Sequence, residues 1–132
     1  MAPLDYLAAL ALLFGAVLGL GSLISPSWAA GVVRLREDPD RPGGFSEFRA
    51  TYGGLLLMTH AVALAALASL DPQIGRMAAA PLGAGWIGAA FGRTVSLALD
   101  SERNRGLGLN PVWIGTELAL GIAILAPILH SP

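Results

Sequence analysis

The sequence predicts an all-α integral membrane protein, a four-helix bundle with antiparallel neighbours forming one domain over residues 1–132. Three observations carry that prediction. Four apolar stretches, at 4–24, 47–70, 77–99 and 111–129, each have about the 20 residues a helix needs to cross a hydrocarbon core of ~30 Å. The composition is 55% hydrophobic and 13% charged, too apolar for an ordinary soluble domain. Asp71-Pro72 and Asn110-Pro111 each place a capping side chain before a proline, which marks the opening of a helix ahead of segments three and four.

Segment one, 4–24, competes with a cleaved signal peptide, because Ser27-Trp28-Ala29 resembles a small-x-small cleavage site. Its n-region carries no Lys or Arg, and the one charged side chain there is Asp5. The apolar run also exceeds a typical signal core, so the segment reads as a retained helix. In the following loop, Ser25-Pro26 can cap a short interfacial helix. Trp28, Val32 and Leu35 would share its apolar face, with Arg34 and Arg36 in water. An irregular loop is the competing reading. Asp38 to Gly44 is turn chemistry. Segments two and three are joined by a very short turn, which makes them antiparallel neighbours. Pro81 falls in the early turns of segment three and Pro127 in the tail of segment four.

All eight basic residues are Arg, and the net charge is −1, which removes any electrostatic case for nucleic acid. There is no Cys, so disulfides, thiolate metal sites and cysteine nucleophiles are excluded. Loops one and three hold Arg34, Arg36, Arg41, Arg103 and Arg105, against Arg76 alone in loop two. The positive-inside rule then puts loops one and three in the cytoplasm and both termini outside, periplasmic in a bacterium.

The charged residues within the apolar stretches decide where any function must sit. Arg93 lies roughly 10 Å inside the boundary near Asp100, and Glu117 lies about as deep from Asn110. Opposite charges at one level on adjacent antiparallel helices are expected to pair. Arg49, Tyr52 (or Gly53), Leu56 and His60 fall on one stripe of segment two. Arg93, Ser96 and Asp100 do so on segment three, and Asn110, Trp113 and Glu117 on segment four. The expected result is a polar zone of Glu47, Arg49, Tyr52, Arg93, Ser96, Asp100, Asn110 and Glu117. Such a zone either pins helix register or forms a binding pocket open to the cytoplasm. His60 reads first as a hydrogen-bonded packing residue, with a protonatable relay as the alternative. His130 has the wrong spacing to share a metal site with it, so no metal or other cofactor is expected.

Gly83-Ala84-Gly85-Trp86-Ile87-Gly88 matches the dinucleotide fingerprint in letters only, since no strand precedes it. Gly85, Gly88 and Gly92, like Gly15 and Gly19, read instead as faces for close helix contact, within one chain or between copies.

Phe48-Arg49-Ala50-Thr51-Tyr52-Gly53-Gly54, then Gly92-Arg93 leading to Asp100, then Glu117 with Leu118 and Gly121, resemble a bacterial family of small four-helix membrane proteins of unknown function. The resemblance spans nearly the whole chain. It implies an inner-membrane protein with no established activity or cofactor, and it points to Arg49, Tyr52, Arg93 and Glu117. The reading is therefore a self-associating, non-enzymatic bundle surrounded by membrane lipids, whose polar cluster stabilises it and is open to a small ligand or partner. An oligomeric small-solute or proton transporter is one alternative. A lipid- or quinone-directed membrane enzyme is the other, for which no nucleophile or acid–base pair of catalytic spacing is evident.

Overall fold

The computed structural model describes residues 2–69, 71–100, 108 and 110–130, and these contain helices and no strand. We number the helices α1 (Pro3–Ile24), α2 (Pro26–Val33), α3 (Gly44–Ser69), α4 (Pro72–Leu99) and α5 (Asn110–Leu129). All but α2 are long and apolar enough to cross a membrane. Arg103 and Arg105 of the third loop lie outside the described residues.

α4 begins at Pro72 rather than at 77, where the continuous apolar run starts. The Asp71 carboxylate accepts from the Gln73 and Ile74 amides at 2.9 and 3.4 Å, satisfying two donors that a helix start otherwise leaves unpaired. This earlier start brings Arg76 into the helix. α3 likewise starts earlier than expected, at Gly44, and is π-helical from Phe48 to Leu55. Its i→i+5 bonding puts Phe48 and Gly53 on one buried face. The tandem Gly53-Gly54 weakens the ordinary α-helix there. Gly53 also lets α3 lie against Leu23 of α1, where a Cβ would come within 2.8 Å of that side chain.

The short helix in the first loop is present as α2, and it stops two residues sooner than the expected apolar face required. Arg34 adopts a left-handed conformation (φ 58°). The Arg34 and Leu35 amides bond back to Gly31 and Ala30, closing the end of the helix. Leu35 therefore lies beyond the helix instead of on its face.

The four long helices form a closed ring, α1 on α3, α3 on α4, α4 on α5 and α5 back on α1, with the α1–α3 and α4–α5 contacts the most extensive. Ala8, Ala11, Leu12, Ala63, Leu67, Ala79 and Ile124 fill the half of the ring nearer the termini. Small residues dominate this core, so backbones approach closely, as membrane helices do. Gly83 and Gly121 face each other across the α4–α5 contact, each with a Cβ position about 3 Å from the other's carbonyl oxygen. Gly15 and Gly19 meet His60 and the Leu57 backbone of α3. A Cβ at Gly85, Gly88 or Gly92 would meet nothing within 4 Å, so among the described residues no other helix packs on that stripe.

Candidate functional site

One stripe of α4 organises the polar interior. Arg76, Ala79, Gly83, Trp86, Ala90 and Arg93 alternate at three- and four-residue spacing, the period that keeps one helix face on its partners. Three of them make the side-chain contacts that tie α4 to the other long helices.

At the end nearer the termini, Arg76 Nε donates to Asp5 Oδ1 at 2.8 Å, and Nη2 donates to Oδ2 at 3.1 Å. Asp5 is 1% exposed and also accepts from the Ala2 amide at 2.6 Å. This paired fork joins α1 to α4. In the middle of the bundle, Trp86 Nε1 donates to His60 Nε2 at 3.0 Å, and His60 Nδ1 lies 2.8 Å from the Leu56 carbonyl. A carbonyl only accepts and an indole N–H only donates, so His60 is held as the neutral tautomer with its proton on Nδ1. Both ring nitrogens are engaged, and a relay role would have to break the Trp86 bond. In the opposite half, Arg93 Nε donates to both Glu117 oxygens, at 2.8 and 3.0 Å, joining α4 to α5.

The two members of that last pair differ in access. The Glu117 side chain is 5% exposed and the Arg93 side chain 33%. Arg93 borders a cavity of about 400 Å³ enclosed by α1, α2, the π-helical part of α3, α4 and α5. Leu18, Ala29, Val32 and Val33 give it apolar walls, and Tyr52 and Glu117 line it too. All three tryptophans of the chain, Trp28, Trp86 and Trp113, border the same space. The Trp28 ring lies against α1 at Gly21, where an added Cβ would come within 2.9 Å of it.

Of the eight residues expected to converge, the structure brings Tyr52, Arg93 and Glu117 to this cavity. The π-helical turns account for Arg49, which a stripe drawn with the ordinary helical period misplaces. Arg49 is exposed and donates through Nε to the Leu23 carbonyl at 3.1 Å, capping the C-terminal end of α1. Glu47 is exposed in the first turns of α3. Ser96 donates to Asp100 at 2.8 Å, one turn along the exposed end of α4. Asn110 opens α5, half-buried.

Sequence reasoning missed the Asp5–Arg76 pair, the Trp86–His60 bond and the role of α2 as a cavity wall. The signal for the first was present. Asp5 and Arg76 each lie in the opening turns of a helix, and both helices start from the same side. Among the described residues, no three metal-ligating side chains converge.

A family model described as a domain of unknown function (DUF4345) matches residues 4–127. No curated protein and no solved structure matches.

Proposed function

The chain belongs to the DUF4345 family of unknown function, and from that premise we propose that it is a non-enzymatic membrane binding protein. Its cleft takes the body of an apolar small molecule, and the Arg93–Glu117 pair receives the molecule's polar end. The observation that carries this reading is the cleft itself. An apolar cavity of about 400 Å³ with an ion pair and four aromatic residues on its walls matches the usual make-up of small-molecule sites: mostly apolar, with a few placed polar groups. An intramembrane charge also points to a function more often than to packing alone.

What favours binding over conduction is the filled half of the bundle. Leu12 and Ile124 are fully buried there within a close-packed core, which works against a path along a single chain. The arginines of the first and third loops support a bacterial inner-membrane location with those loops cytoplasmic and both termini periplasmic. Lipid surrounds the bundle, and the unpartnered Gly85–Gly88–Gly92 stripe is where self-association would be sought.

The test compares wild type with Ala89→Phe, which fills the cleft from an exposed lining position. Both proteins are purified in nanodiscs of native lipid, and their small-molecule contents are measured by mass spectrometry. A species enriched in wild type and depleted in the variant is expected. Identical contents would remove the cleft as a binding site.

A further inference from the structure

Resting on the cleft reading, we infer the class of molecule it takes: a neutral, flat, carbonyl-bearing ring with an apolar tail, of the quinone type, rather than an anionic lipid. Three features of the lining select this chemistry.

The first is charge. Among the described residues, Arg93 and Glu117 are the only charged ones on the cavity wall, and they neutralise each other. An anionic head bound there would leave a net negative charge beside the Glu117 carboxylate, in surroundings that solvate it poorly. A neutral head carries no such penalty.

The second is a surplus of donors. Arg93 spends only Nε on Glu117, reaching both oxygens with it. Among the described residues, no acceptor meets its Nη1 and Nη2 groups, the Tyr52 hydroxyl, or the Trp28 and Trp113 indole N–H groups. The other polar lining groups are already served, with Ser22 bonded to the Leu18 carbonyl and Trp86 to His60. A wall rich in unused donors fits a head that supplies acceptor oxygens and no protons, which describes a ring carbonyl better than an alcohol or an amine.

The third is shape. Three indoles and a phenol around one cavity offer flat, electron-rich faces to a flat, electron-poor ring. The volume sits at the low end of the roughly 300–1,000 Å³ typical of ligand sites. It holds a ring and the first part of a tail. The remainder leaves past the exposed Trp28, Leu35 and Ala89 toward lipid.

Because every tryptophan lines the cleft, intrinsic fluorescence reads occupancy directly. The full chain in phosphatidylcholine nanodiscs is titrated separately with decylubiquinone and with oleate. Wild type, Ala89→Phe and Arg93→Lys are compared, the last keeping the positive charge while losing the guanidinium's outer edge. Saturable quenching by decylubiquinone, weakened at least tenfold in both variants, with oleate inert, is the expected result. Oleate binding that matches or exceeds the quinone's and is lost in Ala89→Phe overturns the ligand class and leaves the cleft reading intact. Quinone binding lost in Ala89→Phe but unchanged in Arg93→Lys overturns the placement of the head on Arg93. Quenching identical in wild type and Ala89→Phe for both probes overturns the inference and the cleft together. Ala89 is exposed and outside the ion pair, so its variant decides the matter where Arg93→Lys weakens the bundle.

Discussion

Removing one partner of the Arg93–Glu117 pair should cost different amounts depending on which partner goes. Two unit charges about 4 Å apart attract by about 4 kcal/mol at an effective dielectric of about 20, and desolvation offsets much of that. The net value of the intact pair is therefore small, while the cost of orphaning one member is large, about 3–5 kcal/mol where the remaining charge stays buried. Glu117, with its side chain 5% exposed on a short stem, stays largely buried when Arg93 is replaced. Arg93→Met is predicted to destabilise the bundle by about 3 kcal/mol. Arg93, one-third exposed on a long flexible stem, can turn its head group out through the cleft when Glu117 is replaced. Glu117→Leu is then predicted to cost about 1–2 kcal/mol, less than the full orphaning penalty. The double variant should lie within about 1 kcal/mol of wild type, because two charges have been exchanged for two well-packed apolar groups. The assay is equilibrium unfolding of all four proteins in bicelles with rising SDS, followed by circular dichroism. Coupling near zero, with the single-variant losses simply adding, would refute the reasoning. So would a larger loss from Glu117→Leu than from Arg93→Met.

Two further predictions concern the rest of the bundle. Gly15→Ala should push the His60 ring off Trp86 and cost about 1–3 kcal/mol by overpacking, whereas Gly88→Ala, with open space around it, should be neutral or gain up to about 1 kcal/mol from helix propensity; thermal unfolding of the two variants side by side checks the contrast, and equal losses would contradict it. Asp5→Asn should strand Arg76, whose side chain is only 16% exposed, and lower stability; the same SDS unfolding reads it, and a loss under about 0.5 kcal/mol, the size of an ordinary surface change, would mean the Asp5–Arg76 contact contributes little.

The four long helices were legible because length and hydropathy suffice to mark a span, and Asp71-Pro72 and Asn110-Pro111 sharpen two of the starts. Arg93 and Glu117, set at one level by the helical rise, are indeed in contact at 2.8 Å. The same depth reasoning applies to Asp5 and Arg76. In the sequence, however, the apolar run begins at 77, and Arg76 reads as a loop residue outside any span. The stripe through Arg49 and Tyr52 assumed an ordinary α-helix, and the π-helical turns from Phe48 to Leu55 void that assumption. Gly53-Gly54 is the local cue, yet two glycines alone do not announce a change of period. Nor could spacing show that Gly15 and Gly19 pack while Gly85, Gly88 and Gly92 do not. On a helix apolar all round, the inward face has no polar side to set it apart.

That α4 supplies one member of all three side chain–side chain hydrogen-bonded contacts between long helices, among the described residues, has a consequence for how the nascent chain is assembled. The most apolar 18-residue stretch of α4 is also less hydrophobic than that of the other long helices, and α4 carries two guanidinium groups. Asp5 and His60 are synthesised before it, so Arg76 and Trp86 find their counterparts as soon as α4 arrives. Arg93 has none until α5 leaves the ribosome. A chain arrested before that last helix should hold an unmatched cation within the bilayer and be poorly retained there, making α5 the step that commits the protein to the membrane.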